Sequence, residues 1–277
     1  MSLDFSRVLT TGAGGMIGTY IDFGLRTDRS ILDVLDEEAL MRYVAECRPS
    51  AIIHLVGATD TQACERDPLY AYELNVRSTY NVARAARAVN AVMVYVSTSR
   101  VFRGDKAAPY GEEDVPEPQT HYGRTKYMGE ILTATLAPEH IIARTAWVFG
   151  GGVSRDRKFY GTVIKKLLAG EEVSALVDVI GSPTYAKDFV GAIKEMLRKE
   201  ERGTVHITNA GPATRLDIAA ALAKRMKPDG EVRAVNRSHF ESGALLPANE
   251  SVSSSRVALR PWQVALDEYL AAEWNDK

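Results

Sequence analysis

The sequence predicts an α/β fold, in which helices cover both faces of a doubly wound parallel sheet of the Rossmann type. The first observation is that four apolar strand segments alternate with helical segments over residues 1–150. This alternation is typical of parallel strands joined by crossover helices. The second observation is the segment 51–58, which is apolar without polar alternation. Such a strand favours a position with both faces covered.

Charge and hydropathy restrict the partners. The net charge is −2 and no dense stripe of Lys and Arg is present, which argues against a nucleic-acid partner. No apolar run approaches about 18 residues, and the N-terminal segment lacks a charged stretch before an apolar core, so we expect a cytoplasmic protein without membrane contact. Cys47 and Cys64 lack CxxC spacing and the five histidines are scattered, so we expect reduced cysteines and no metal site.

The chain opens with a strand, a glycine-rich turn and an amphipathic stretch. A short strand predicted over residues 7–10 is followed by Gly12, Gly15 and Gly18. Glycines at this spacing allow a tight turn and a close approach of the backbone to a pyrophosphate, which meets the N-terminus of the next helix. A glycine-rich turn alone is a weak signal, but directly after an opening strand it predicts a nucleotide site.

The segment after this turn is shorter than a dinucleotide-binding unit requires. Such a unit normally continues through a full helix and a second strand, which ends about 20 positions later in a ribose-binding residue. Here only residues 19–30 precede the segment 31–36, so the helix or the second strand must be shortened. Asp33 is a candidate for the adenine or ribose side and Arg26 or Arg29 for a 2′-phosphate, but a surface charge explains each equally well.

Three polar residues in the next segments have structural interpretations. Asp36 is predicted to cap a helix over 37–47. His54 lies inside an apolar strand and is predicted to be a packed core residue. Asn75 lies inside a long predicted helix, where its amide is unfavourable unless it bonds a specific partner.

The segment 94–126 carries the strongest chemical pattern. A β-branched strand ends in hydroxyl residues that include Thr98, and after a polar loop a helix begins that carries Tyr122 and Lys126. Residues four apart lie on one face of a helix. An ammonium one turn away favours the phenolate of a Tyr, whose usual pKa is about 10. Tyr122 is therefore predicted to exchange a proton with a substrate oxygen that Thr98 holds in place.

The Tyr-x-x-x-Lys pattern predicts a catalytic site only when its position in the fold supports it. Alone it is weak, because roughly 0.5 chance matches are expected in a chain of this length. Ligands of doubly wound sheets bind outside the carboxyl ends of the strands. That edge brings Gly12, Gly57, Thr98 and Trp147 together, and we predict a shared site there.

The pattern beyond residue 151 is less regular. Helices are predicted over 158–169, 187–199, 215–227 and 261–273, strands over 173–177 and 204–208, and a Ser-rich loop over 250–256. We expect a dinucleotide-binding Rossmann domain over 1–150, shortened after its first glycine turn. The portion 151–277 is expected to be a smaller α+β substrate-binding part, with some segments returning to the main sheet.

Several motifs together resemble the extended short-chain dehydrogenase/reductase family, and most closely its dTDP-4-dehydrorhamnose reductase branch. The resemblance covers nearly the whole chain. Its more specific parts are RTAWVFG at 144–150 and GSPTYAKD at 181–188. The other motifs are TGAGGMIG, LDVLD, STSRVFRG, YGRTKYMGE and LRPW.

This resemblance implies NADPH or NADH as the cofactor and hydride transfer to the C4 ketone of a nucleotide-linked deoxysugar. It implies that the catalytic residues are Thr98, Tyr122 and Lys126. The residues near the cofactor would be Gly12, Gly15, Met16, Ile17, Asp33, Val34, Leu55, Val56, Gly57 and Asn75. Those near the substrate would be Thr61 and Trp147. Ser99 and Arg100 are further substrate-binding candidates, although they depart from the residues usual in this branch. The expected partners are the nucleotide-sugar substrate and a second copy of the chain in a homodimer.

Two alternatives remain open at this point. The first is an epimerase or dehydratase of the same family. Dehydratases need an acidic pair after the catalytic Thr, where this chain has Ser99-Arg100, and the branch itself usually has Asp-Tyr there. Epimerases usually carry Asn-Val-Tyr-Gly-Pro where this chain has 147–151. The second alternative is a non-catalytic NAD(P)-binding regulatory protein, which the shortened first unit favours and the intact catalytic trio disfavours.

Overall fold

The computed structural model describes residues 3–227, 231–239 and 246–274. In these residues the strands are β1 (Val8–Thr11), β2 (Leu25–Thr27), β3 (Ala51–His54), β4 (Val92–Thr98), β5 (His140–Thr145), β6 (Val148–Phe149), β7 (Val173–Leu176), β8 (Ile180–Gly181), β9 (Thr184–Tyr185), β10 (Gly203–His206), β11 (Ala213–Thr214) and β12 (Val232–Val235). The α-helices are α1 (Glu37–Cys47), α2 (Thr61–Arg66), α3 (Pro68–Tyr72), α4 (Ser78–Ala88), α5 (His121–Leu136), α6 (Gly152–Arg155), α7 (Phe159–Ala169), α8 (Ala186–Arg198), α9 (Arg215–Met226) and α10 (Trp262–Glu273). One π-helical turn, Glu73–Arg77, joins α3 to α4.

The central sheet has six parallel strands in the order β10-β5-β4-β3-β1-β2. The order changes direction between β1 and β3, as a doubly wound sheet requires. Apolar side chains from both faces are buried, so the strands read as continuous apolar runs. The predicted fold class is confirmed.

Helices cover the two faces of this sheet. On one face α8 packs its buried Phe189, Ile193 and Met196 against the strands. On the other face α1, α4 and α5 lie over the strands, with Leu40 and Val82 in that core. The later part of the chain has its own apolar core, in which Phe149 packs against Tyr160 of α7 and Tyr269 of α10.

The first crossover is much shorter than a helix. After β1 the chain makes one 3-10 turn, Ile17–Tyr20, and then enters β2, which has three residues. The segment 31–36 contains turns and no strand. Both the helix and the strand of this unit are therefore shortened. Ile21 is nevertheless fully buried, and α8 contacts this turn, so the sheet face is closed without a full first helix.

Several local predictions agree with the structure. Asp36 caps α1, since its side chain accepts from the Ala39 amide at 3.0 Å. His54 is buried and hydrogen-bonds Thr11 and Ser78. The apolar segment 141–149 does not form one continuous strand, because Trp147 has a φ of +41° and separates β5 from β6.

Two elements of the later part of the chain belong to the main sheet and its covering helices. The strand β10 completes the main sheet beside β5, and α8 covers one face of it. The division at residue 150 stays a prediction. No helix among the described residues is long and apolar enough to cross a membrane.

Candidate active site

A cavity of about 500 Å³ opens at the carboxyl ends of β1, β3, β4 and β5. This is the edge at which the sequence predicts a shared site. Its lining includes Gly12, Gly15, Met16, Ile17, Leu55, Val56, Gly57, Thr61, Thr98, Ser99, Arg100, Tyr122, Lys126 and Trp147. These are the predicted site residues except Asp33, Val34 and Asn75.

Local capping fixes Tyr122 at the start of α5. The Thr120 hydroxyl accepts from the Gly123 amide at 3.1 Å and so sets the first helical turn. A Cβ on Gly123 would overlap the carbonyl oxygen of Arg100, so this helix lies directly against the turn after β4. Tyr122, in the first turn, is consequently 9% exposed and lies in the same cavity wall as Thr98.

Burial acts in opposite directions on the two titrating groups of this helix. Burial raises the pKa of Tyr122, and the Thr98 hydroxyl and the Arg100 charge oppose this. Burial lowers the pKa of Lys126 to about 7, with Glu130 opposing. The Lys126 ammonium lies 4.2 Å from the centroid of the Tyr95 ring, which partly compensates its lost hydration. A lysine poised near neutrality suits proton exchange.

A buried polar network holds α5 against the strands. Glu130 forms a bidentate pair with Arg144 of β5, at 2.9 and 2.7 Å, and accepts from the Ser97 hydroxyl of β4 at 2.5 Å. The pair is 4–6% exposed. The Tyr95 hydroxyl donates to the Lys126 carbonyl at 3.2 Å. These contacts fix β4, α5 and β5 relative to each other, and with them the catalytic candidates.

The glycine turn packs closely against neighbouring backbone segments. Gly12 has a φ of +73°, and a Cβ there would lie 2.9 Å from the Val56 amide nitrogen. A Cβ on Gly18 would overlap the carbonyl of Ala13. Only glycine fits these two positions, and the backbone beside Gly57 is open to the cavity. The residues of this end therefore fit a dinucleotide, with the pyrophosphate over the turn.

Contacts from the later part of the chain support this short turn. The Tyr20 hydroxyl donates to Glu273 at 2.5 Å and accepts from the Gly151 amide at 2.6 Å. The Arg155 guanidinium donates to the carbonyl of Gly14 and lines the cavity beside the glycines. Arg155 thereby places its guanidinium beside the glycine turn.

Three predicted cofactor residues lie away from the cavity wall. Asn75, in the π-helical turn, is fully buried; its amide accepts from the Ala58 amide at 2.8 Å and donates to Thr125 at 3.0 Å. It positions the loop after β3 against α5. Asp33 accepts from the Leu35 amide, and Val34 packs in the core.

The other end of the cavity is charged and partly aromatic. Arg100 forms a two-point ion pair with the buried Glu250, both contacts at 2.8 Å. The Trp147 indole donates to the same carboxylate at 3.3 Å. The hydroxyls of Ser99 and Thr145, both in this wall, are buried without a hydrogen-bond partner among the described residues.

Sequence reasoning missed several lining residues from the later part of the chain. They are Arg155, Arg157, Lys158, Phe159, Tyr160, Arg215 and Glu250. None belongs to a motif with characteristic spacing, and they come from separate loops and helix starts. The one available signal was the group of basic residues at 155–158 directly before α7.

The fold and this site define an enzyme of the extended short-chain dehydrogenase/reductase type: a doubly wound sheet, a glycine turn after β1, and a Thr with a Tyr-Lys pair around one cavity. The chain belongs to the RmlD substrate binding domain family, whose sequence profile matches residues 6–274. The resemblance seen in the motifs is thereby confirmed.

Individual relatives agree with this family. The chain is 32% identical over 284 residues to a dTDP-4-dehydrorhamnose reductase from Mycolicibacterium smegmatis, covering 96% of this chain and 85% of that protein. It superposes with a TM-score of 0.91 and 29% identity on a dTDP-4-dehydrorhamnose reductase from Bacillus anthracis in complex with NADP, over 98% and 99% of the two chains. A UDP-glucose 4-epimerase from Thermotoga maritima is 18% identical with a TM-score of 0.76, over 90% of each chain, and shares the fold.

Proposed function

We propose that the protein is a cytoplasmic NADPH- or NADH-dependent reductase. Its substrate is a 4-keto nucleotide-linked deoxysugar such as dTDP-4-dehydrorhamnose. The observation that carries the proposal is that Thr98, Tyr122 and Lys126 line the same cavity as the glycine turn. A keto group bound in this cavity would have its oxygen beside Tyr122, and a cofactor held at the glycine turn would enter the same cavity. The relatives named reductases support the same reaction.

The roles of the residues follow from their chemistry. The reduced nicotinamide supplies the hydride when the cofactor is bound. Tyr122 donates its phenolic proton to the substrate oxygen that becomes the alcohol, and the Thr98 hydroxyl hydrogen-bonds that oxygen. Lys126 stabilises the phenolate that remains on Tyr122. Thr98, Tyr122 and Lys126 are 5–9% exposed, which limits the contact of these groups with bulk water.

The alternative reactions find less support at the same site. Elimination by a dehydratase needs an acid and a base after the catalytic Thr, and the side chain of Arg100 is instead paired with Glu250. A non-catalytic role leaves the buried Lys126 without a use, although a buried ammonium is costly to maintain. The shortened first unit is the remaining argument for the non-catalytic alternative.

The test is the oxidation of NADPH or NADH, followed by absorbance, in the presence of dTDP-4-dehydrorhamnose. We expect turnover with the wild-type protein and a decrease of about 10² or more in Tyr122→Phe, because a general acid is lost. Cofactor affinity should change little in this variant. Tyr127→Phe, on the same helix and outside the cavity wall, is the control and should keep its turnover.

Two outcomes would contradict the proposal in different ways. Unchanged turnover in Tyr122→Phe would remove Tyr122 from the mechanism. A wild-type protein that binds cofactor but oxidises none with 4-keto nucleotide sugars would refute the reductase itself.

A further inference from the structure

Arg215 occupies an unusual position at the substrate end of the cavity. It is the first residue of α9, whose start is set by a capping box between Thr214 and Asp217. Its guanidinium lies 3.7 Å from the centroid of the Trp147 ring and 4.6 Å from that of Phe159. These two cation–π contacts restrict the position of the guanidinium at the cavity wall.

Among the described residues, no carboxylate forms an ion pair with this cation. Across residues 3–227, 231–239 and 246–274, no hydrogen bond or ion pair involves the Arg215 side chain. Burial lowers the pKa of Arg215 to about 10, and Glu250 opposes this from a distance. Glu250 is already engaged by Arg100 and Trp147. The guanidinium has five N–H donors, and their partial desolvation is unfavourable unless an acceptor binds them.

The surroundings of Arg215 are strongly positive. Arg157 and Lys158, which precede α7, line the same cavity. Among the described residues of the wall, the acidic one is Glu250, and its charge is balanced by Arg100. This excess of cations suits a ligand with more than one negative charge, such as a diphosphate.

A second cavity continues beyond the same side chains. It has a volume of about 300 Å³, and Phe159 and Arg215 line both cavities. Its wall between α7 and β7 is mainly apolar, with Val163, Val173 and Leu176. A ligand that runs from Tyr122 past Arg215 therefore meets a reactive end, a cationic middle and an apolar end in this order.

We propose that Arg215, held between Trp147 and Phe159, binds the diphosphate of the nucleotide-linked sugar. This inference rests on the proposed function, because it takes the sugar to lie at Tyr122. The nucleoside then lies on the far side of Arg215, against the apolar second cavity. Arg215 is a substrate-binding residue and takes no part in the proton transfer.

The experiment measures binding of dTDP to the full chain by calorimetry, without cofactor or turnover. Arg215→Ala should raise the Kd for dTDP by about 10- to 100-fold, since a charge-assisted hydrogen-bonded contact is lost. Arg215→Lys keeps the charge but loses the planar fork, so its Kd should rise by about 3- to 10-fold. Arg225→Ala, an exposed arginine on the same helix paired with Asp267, is the matched control and should bind dTDP as the wild type does.

Two further measurements separate phosphate binding from a structural effect. Thymidine lacks phosphates, so its affinity should be equal in the wild type and Arg215→Ala. The Kd for NADPH should also be equal in both proteins. Loss of dTDP, thymidine and NADPH binding together would mean that the substitution disturbs the fold, and it would overturn the assignment of a phosphate contact.

The inference and the proposed function fail separately. A wild type that binds dTDP with an affinity unchanged in Arg215→Ala refutes the inference, whatever the enzyme catalyses. A wild type without affinity for dTDP refutes it as well. If dTDP binding depends on Arg215 but no 4-keto nucleotide sugar is reduced, the binding assignment stands and the reductase does not.

Discussion

The first and fourth strand–turn units of the sheet end at the same edge but are built in different ways. Between β1 and β2 the chain makes one 3-10 turn of four residues. Between β4 and β5 it carries α5, a helix of 16 residues, whose Glu130 forms a buried ion pair with Arg144 of β5. The first unit offers the glycine turn, and the fourth offers Thr98, Tyr122 and Lys126.

The difference separates the proposed catalytic part from the proposed cofactor-binding part. The fourth unit is fixed by contacts within itself, since Glu130 joins α5 to both flanking strands. The first unit is instead supported from the later part of the chain, through Tyr20 with Glu273 and through Arg155 with Gly14. Catalytic geometry should therefore depend on the buried network, and cofactor affinity on contacts across the cavity.

The largest effect is expected from Glu130→Gln. This substitution leaves Arg144 buried without its carboxylate, which should lower the free energy of unfolding by about 3–5 kcal/mol. Urea unfolding measures it. Glu195→Gln removes an equally charged but exposed pair with Arg198, and should stay within about 1 kcal/mol of the wild type. Equal effects in the two variants would contradict the role given to the buried network.

Lys126→Met should separate catalysis from stability. Turnover should fall by about 10² or more, because the phenolate of Tyr122 loses its neighbouring cation. The melting temperature should stay the same or rise, since the buried ammonium is replaced by an apolar chain. Arg124→Met, an exposed change on the same helix, is the control for turnover. If Lys126→Met is both inactive and unfolded, the claim that Lys126 serves catalysis rather than stability is contradicted.

The same lysine should make stability depend on pH. Its pKa is about 7 in the folded chain and about 10.5 in the unfolded one, so the unfolded chain binds more protons between these values. Stability of the wild type relative to Lys126→Met should therefore increase with pH, by about 2 kcal/mol from pH 7 to pH 9. Unfolding curves at both pH values measure it. A constant difference would show that Lys126 keeps its usual pKa.

The smallest effect is expected from Arg155→Ala at the cofactor end. Losing one exposed charge over the glycine turn should raise the Kd for NADPH about tenfold. The Kd for NADH should rise by the same factor, because both cofactors carry the pyrophosphate. Arg42→Ala, an exposed arginine of α1 that pairs with Glu38 and is not part of the cavity lining, is the control. A loss confined to NADPH would place Arg155 at the 2′-phosphate instead.

The sequence predicted the parts of the site that lie at strand ends. Gly12, Thr98 and Trp147 follow apolar strands, and the rule for doubly wound sheets places such residues at one edge. Tyr122 and Lys126 are linked by helical spacing alone. The shortening after Gly18 was also visible, because a helix and a strand need a minimum number of residues.

The parts that sequence reasoning missed depend on tertiary contacts between distant segments. Arg215 meets Trp147 only because α9 packs near β6 in the later core, and neither residue has a motif that predicts this. Glu250 lies in a segment predicted as a loop, and its charge gives no sign that it is buried. Asn75 was expected to bond a specific partner, but its bonds to Ala58 and Thr125 could not be named beforehand.

The central claim is that a site with a complete catalytic unit still binds a dinucleotide at its shortened glycine turn. A titration of the purified protein with NADPH and NADH, following nicotinamide fluorescence and thermal stability together, tests it most directly. We expect a Kd below about 100 μM for at least one cofactor, which corresponds to about 5.5 kcal/mol, with a matching rise in melting temperature. If neither cofactor binds to a folded protein that does bind dTDP, the chain is a nucleotide-binding protein and the reductase account is wrong.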